Sequence, residues 1–169
     1  PNQTWCRSIG RAAVGFLGAF NSTILRYEDL PSFNSIHDLF TDSDFRVLFI
    51  PSDRTEIGHW QVLINRNDKT FEFYDSFGYK PDAINQVLND DPENKAKTNI
   101  KDLMVPGTQL VSVDVPFQNT RSNNCGRFVI SRILAMKLTA KQYAEHMIKI
   151  RDTFGDLDKF VVATIALPA

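Results

Sequence analysis

Four side chains in this sequence have the types and spacing needed for nucleophilic acyl transfer, and Cys125 is the nucleophile among them. Cys125 follows small polar residues and precedes an apolar run with helical spacing, which predicts a buried helix with Cys125 in its first turn. Free N–H groups and the positive dipole end at a helix start favour the thiolate, the reactive form of cysteine. Gly126 leaves space beside the sulfur for a carbonyl group. A cysteine in this position is more often a small buried hydrophobe, so position alone does not establish a nucleophile.

His59 and Asp75 are the candidates for the base and for the group that orients it. Two strands rich in aromatic and β-branched residues are predicted on either side of the hairpin loop Arg66–Lys69. With that loop, Asn65 faces Thr70 and His59 lies near Asp75. A carboxylate there could accept an imidazole N–H, fix the tautomer and favour the charged ring. The alternative is a solvated carboxylate at a strand end.

Gln118 is the candidate for stabilising a developing oxyanion, because it lies in the loop that leads to Cys125. The alternative is a loop glutamine that points to water. We interpret the two other histidines, His37 and His146, as structural or surface residues. Cys6 has no histidine nearby in the sequence, so a buried or incidental role is preferred for it.

Composition limits the class of protein. A length of 169 residues predicts one domain, and a hydrophobic fraction of 43% is enough for a core. The net charge of −1 does not predict tight nucleic-acid binding. Two cysteines make no disulfide framework and suit a reducing compartment, and neither a metal nor a cofactor is predicted. The apolar stretch 14–20 is too short to span a membrane, and the start at Pro1 suggests a piece of a longer chain.

The predicted elements follow the order helices, strands, helices, which indicates an α+β fold. We expect a mixed, mainly antiparallel central sheet flanked by helices, with the cysteine at the start of a core helix. We divide the single domain into an N-terminal helical segment (1–44), a core (45–138) and C-terminal helices (139–169). Further helices are predicted at Trp5–Phe20, at 36–40 after Ser35 and at 82–88. Two more are predicted at 140–150, after a Thr139/Gln142 capping box, and from near Asp156. Further strands are predicted at 45–50 and 109–115.

The motifs His59-Trp60, Tyr74-Asp75-Ser76-Phe77-Gly78, Gln118 and Asn124-Cys125-Gly126 occur in this order. Together they resemble the adenain-like cysteine peptidases, the maturation proteases of adenoviruses and related virus-like transposons, over roughly 45–138. These enzymes share a fold with the SUMO- and ubiquitin-like-protein-specific peptidases.

The resemblance implies that Cys125 is the nucleophile, His59 the general base, Asp75 its orienting group and Gln118 part of the oxyanion hole. It also implies a substrate cleft lined by Trp60, Asn124 and Gly126. Asn124 departs from the small residue or aspartate that many members have before the cysteine.

By this resemblance we expect a thiol protease that cleaves viral or mobile-element polyproteins or structural proteins after small residues. Two alternatives stay open: a deubiquitinase or SUMO-type isopeptidase, including a pathogen effector, and an inactive interaction domain. The expected partner is a protein substrate, with no nucleic acid or membrane, and an activating peptide or partner protein stays open. The expected location is the host cytoplasm or nucleus, or the virion.

Overall fold

The structure is a computed structural model that describes residues 6–7, 24–51, 57–83 and 98–165, and the side chains of these residues except 6, 7 and 57. The helix predicted at Trp5–Phe20 lies outside these residues, except that Cys6–Arg7 forms a short strand. Most of the helix predicted at 82–88 also lies outside them.

A mixed sheet forms the centre of the fold and confirms the predicted α+β class. Its strands are β1 (Cys6–Arg7), β2 (Ile24–Arg26), β3 (Phe45–Pro51), β4 (Ile57–Asn67), β5 (Thr70–Asp75) and β6 (Gln109–Ser112). The order is β2-β3-β4-β5-β6, with β1 paired to β4. β3, β4 and β5 are antiparallel, whereas β2 and β6 add in parallel at the two edges.

The segment 1–44, which the sequence predicts as helical, thus contributes two strands to the sheet. β2 is followed by two 3₁₀ helices, Tyr27–Ser32 and Ile36–Phe40, and the second begins after Ser35 as predicted. A third 3₁₀ helix spans Ile100–Leu103. These short helices cover one face of the sheet, because Leu30, Ile36 and Ile100 are buried in the same cluster as Leu48 and Phe73.

In the described part of the chain, three α-helices cover the other face: α1 (Cys125–Leu134), α2 (Ala140–Phe154) and α3 (Leu157–Thr164). α2 starts with the predicted capping box at Thr139 and ends at Gly155, whose φ of 80° is the left-handed conformation that favours glycine. Asp156 caps α3. Among the described helices, none is long and apolar enough to cross a bilayer.

The register of the β4–β5 hairpin differs from the predicted one. Asn67, rather than Asn65, pairs with Thr70, and a bulge lies between Asn65 and Asn67. As a result the backbone of Asp75 pairs with Gln61 rather than with the start of β4. His59 still lies on the same side of β4 as Gln61, because side chains two residues apart in a strand point the same way.

Candidate active site

His59 and Asp75 are in direct contact at the end of the sheet where β4 begins and β5 ends. The Nε2 atom of His59 lies 2.8 Å from Oδ2 of Asp75. The two side chains are 1% and 0% exposed, so water does not compete for this hydrogen bond. With Nε2 engaged by the carboxylate, Nδ1 is the second ring nitrogen available for proton exchange.

The Asp75 carboxylate also accepts hydrogen bonds from two groups that the sequence analysis missed. Gln61 donates from Nε2 to Oδ2 over 2.5 Å, and the backbone N–H of Phe77 donates to Oδ1 over 2.7 Å. A buried carboxylate needs such donors to offset its lost hydration. Gln61 fills this role because the bulge in the hairpin moves it opposite Asp75.

The turn after Asp75 shapes the surroundings of His59. The ring of Phe77 stacks on the imidazole with centroids 5.0 Å apart and an interplanar angle of 19°. Gly78 has a φ of 73°, and a Cβ there would lie 2.8 Å from the backbone nitrogen of Pro116. Glycine at this position therefore lets the turn approach the start of the loop at residues 116–124, which we call the Cys125 loop.

Gln118 is held by the residue that follows Asp75. The hydroxyl of Ser76 donates to Oε1 of Gln118 over 2.6 Å, and the backbone N–H of Gln118 donates to the Ser76 carbonyl over 2.9 Å. Nε2 of Gln118 donates to the carbonyl of Ser122 over 3.1 Å. Because the amide oxygen of Gln118 accepts from Ser76, the amide N–H groups face the part of the Cys125 loop that contains Ser122. Sequence reasoning named Ser76 in a motif but gave it no role.

Cys125 is the first residue of α1, as predicted, and it is fully buried. α1 packs against β4, and Cys125 belongs to the same buried cluster as Trp60, the neighbour of His59. The sulfur, however, is part of a disulfide. The prediction of a free thiolate is therefore wrong for the state described by this structure.

The strand β1 gives the physical context for this oxidation. The sequence has one other cysteine, Cys6, and its backbone pairs with Gly58, the residue before His59. On one side of β4, Gly58 pairs with Pro51 of β3. On the other side, β5 pairs with β4 only from Gln61 onward. β1 thus occupies the sheet position just beyond the end of β5, beside the candidate site. The sequence alone predicts only a buried or incidental role for Cys6, because this pairing is not local.

The predicted cleft residues have different environments. Trp60 is 5% exposed and its ring lies 4.7 Å from that of Phe49, so it belongs to the core beside the site. Gly126 is buried in the first turn of α1. Asn124 is half-buried and lines a groove of about 260 Å³ with residues of α3.

His37 and His146 are exposed. The ring of His37 contacts the Asp68 carbonyl and the edge of Phe71, which fits the structural interpretation. Within the described ranges, no group of three histidine, cysteine or acidic side chains is placed to hold a metal ion.

A buried ionic cluster ties α1 to the hairpin that carries His59 and Asp75. Glu72 accepts from Arg132 of α1 over 2.7 and 3.0 Å and from Nε of Arg66 over 2.8 Å. Glu72 and Arg132 are both 0% exposed. The arginines also donate to the carbonyl of Leu138, so the cluster joins β4, β5 and the chain after α1.

A second buried polar group lies near Asp75. Burial raises the pKa of Tyr27 well above its usual value, and the negative charges of Asp82 and Asp75 raise it further. Burial also raises the pKa of Asp82, although the backbone N–H groups of Ile100 and Lys101 oppose this by donating to its carboxylate. Tyr27 is consequently a neutral phenol that adds no charge next to the His59–Asp75 pair.

Comparisons with known proteins give only distant likenesses. No protein-family model and no curated protein matches the chain. It is similar to the central domain of the uncharacterized Lpg1148 protein from Legionella pneumophila, with a TM-score of 0.39 and 20% identity over 85% of this chain and 82% of that one. It is also similar to the C-terminal Ulp1 protease domain in complex with Smt3, the yeast ortholog of SUMO, with a TM-score of 0.34 and 18% identity. That match covers 68% of this chain and 56% of the Ulp1 chain, and such values assign neither a family nor an activity.

Proposed function

We propose that this chain is a cysteine peptidase that hydrolyses protein substrates with Cys125, His59 and Asp75, and with Gln118 in the oxyanion hole. One observation carries the proposal: a buried His59–Asp75 hydrogen bond of 2.8 Å at the end of the hairpin. Ser76, the next residue, holds Gln118 in the loop that leads to Cys125. The sequence resemblance to adenain-like peptidases supports the same assignment.

The reaction would begin after reduction of the disulfide. His59 takes the thiol proton of Cys125 through Nδ1, and the thiolate attacks the scissile carbonyl. The resulting oxyanion accepts hydrogen bonds from the Gln118 amide and the Cys125 backbone N–H. The imidazolium, held by Asp75, then protonates the leaving amine. Water, deprotonated by His59, hydrolyses the thioester and regenerates the thiol.

The proposed substrates are structural proteins or polyproteins of a virus or mobile element, cut after small residues such as glycine. This finer assignment rests on the resemblance, in which Trp60 walls the site beside the base. A ubiquitin-like modifier bound through its C-terminal glycine would satisfy the same chemistry. The deconjugase alternative is therefore an outcome of the test.

The test uses reduced protein and three sets of substrates: peptides with small residues before the cut, candidate structural proteins, and ubiquitin or SUMO carrying a C-terminal electrophile. We expect cleavage of peptides or structural proteins that is lost in Cys125→Ala and His59→Ala. His146→Ala is the matched control, since it removes an exposed imidazole, and it should retain activity.

Rapid capture of ubiquitin or SUMO without peptide cleavage would favour the deconjugase. Equal residual cleavage in wild type and Cys125→Ala across all substrates would refute the proposal and favour an inactive interaction domain.

A further inference from the structure

Helix α3 contributes one side chain to the Cys125 loop. Asp158, half-buried in the first turn of α3, accepts a hydrogen bond from the backbone N–H of Asn119 over 2.7 Å. It also accepts from the hydroxyl of Ser122 and, over 3.0 Å, from Nδ2 of Asn124. A single carboxylate thus binds the loop near its middle and at its last residue, directly before Cys125.

The contact with Asn124 has a specific effect on the start of α1. Asn124 is the N-cap residue, and its carbonyl accepts from the N–H of Phe128 over 3.1 Å. An asparagine in this position ordinarily caps the helix by accepting from an N–H of the first turn. Here the side chain makes no capping hydrogen bond and instead donates to Asp158. The asparagine side chain is therefore kept away from the first-turn N–H groups beside the Cys125 sulfur.

The same contacts reach Gln118. Its Nε2 donates to the carbonyl of Ser122, whose hydroxyl donates to Asp158. The loop has further internal bonds, from the N–H of Ser122 to the Asn119 carbonyl and from the N–H of Arg121 to Oδ1 of Asn119. Asp158 fixes the two residues, Asn119 and Ser122, on which this local network is built.

We propose that Asp158 is a positioning residue for Cys125 and Gln118: it fixes the Cys125 loop and diverts Asn124 from capping α1. The role in catalysis rests on the proposed peptidase function. The effect on the thiol does not, because a helix start favours a thiolate whether or not a substrate is turned over.

Three variants separate this role from a general stabilisation of α3. Asp158→Ala removes all the loop contacts, whereas Asp158→Asn keeps an acceptor oxygen for part of them. Asp156→Ala is the matched control, because Asp156 is the N-cap of the same helix and accepts from the backbone N–H of Lys159. It removes an acidic group from the helix start and weakens α3.

Two measurements on reduced protein give independent results. The first is the pH dependence of Cys125 alkylation by iodoacetamide, followed by site-resolved mass spectrometry. We expect its midpoint to lie at higher pH in Asp158→Ala than in Asp158→Asn, because both variants lose the carboxylate charge and only Asp158→Asn keeps part of the loop contacts. The second is the kcat and KM for a cleaved substrate. Asp158→Ala should lower kcat about 10- to 100-fold with a smaller change in KM, since displacement of reacting groups by about 1 Å costs on the order of 100-fold.

Asp158→Asn should retain more of the wild-type kcat than Asp158→Ala, and Asp156→Ala should match wild type per folded molecule. An alkylation profile of Asp158→Ala that superimposes on that of Asp158→Asn would overturn the proposal, as would equal losses of kcat in Asp158→Ala and Asp156→Ala. If wild type cleaves nothing, the peptidase proposal fails and the alkylation profiles still decide the role of Asp158.

Discussion

Replacement of Glu72 by glutamine should destabilise the fold far more than loss of a surface charge. The change nearly keeps the size and shape of the side chain, removes its negative charge and replaces one carboxylate oxygen by an NH₂ group. Two guanidinium groups then remain in contact with a neutral amide: Arg132, which is 0% exposed, and Arg66, which is 20% exposed. One amide oxygen also replaces two carboxylate oxygens that now accept hydrogen bonds from both arginines.

The expected loss follows from burial. Removal of one partner of a buried ion pair costs about 3–5 kcal/mol, because the remaining charge keeps its desolvation penalty. Since Glu72→Gln retains part of the hydrogen bonding, we expect it to lower the free energy of unfolding by about 3 kcal/mol. For a chain of 169 residues, each kcal/mol lowers Tm by about 2–4 °C, which predicts a fall of roughly 6–12 °C.

Equilibrium unfolding in urea, with thermal scans in parallel, measures this effect. Glu145→Gln is the matched control, because Glu145 and Lys141 form an ion pair of 4.0 Å with side chains 63% and 86% exposed. That variant should lose less than about 0.5 kcal/mol. The effect on kcat per folded molecule should be smaller than the effect on stability, since Arg132 lies about 10 Å along α1 from Cys125.

A Glu72→Gln protein within about 0.5 kcal/mol of wild type would refute the reasoning, since that loss is typical of an exposed pair. Equal losses in Glu72→Gln and Glu145→Gln would do so too. A second check replaces Glu72, Arg66 and Arg132 together by methionine. Because no charge is left buried, this variant should be clearly more stable than Glu72→Gln.

Three further predictions concern the site and its surroundings. Asp75→Asn should lower kcat/KM about 10³- to 10⁴-fold in steady-state assays, because an amide NH₂ facing His59 stabilises the wrong tautomer, and a loss under tenfold would contradict this. Alkylation of Cys125 and peptidase activity should both require a reductant in wild type but not in Cys6→Ser, which lacks the second thiol. Mass spectrometry and activity assays without reductant test this, and full activity of the wild type without reductant would contradict it. For Asp82, burial raises the folded-state pKa, so the folded state binds more protons than the unfolded state above about pH 3.9, and stability should fall with rising pH. Asp82→Asn should lack this loss of stability with rising pH, which urea unfolding at several pH values measures. If the wild type gains stability relative to the variant as the pH rises, the predicted direction is refuted.

Much of the fold could be predicted because its signals are local. The apolar spacing after Cys125 predicts α1, the Thr139/Gln142 pair predicts the start of α2, and aromatic and β-branched residues predict β5. These elements are determined by side chains within a few residues of one another, so they require no knowledge of the partner surface. The candidate residues at 59, 75, 118 and 125 were found in the same way, from residue type, spacing and motif order.

The contacts that hold the candidate site depend on tertiary structure. Gln61 reaches Asp75 only because a bulge shifts the hairpin, and a shift in register changes which residues face each other. Cys6 lies beside Gly58 through pairing of distant strands, and Asp158 reaches the Cys125 loop from a helix 34 residues beyond Asn124.

The sequence by itself determined which chemical groups the chain offers and which local elements carry them. Only the tertiary structure decided that Gln61 donates to the Asp75 carboxylate, that the Cys125 sulfur is oxidised, and that Glu72 joins β5 to α1. The reason is physical: Gln61 and Asp75 are 14 positions apart, Glu72 and Arg132 are 60 positions apart, and Cys6 lies far from Cys125 in the sequence. Their energies depend on burial and on the approach of whole elements, which no local pattern specifies.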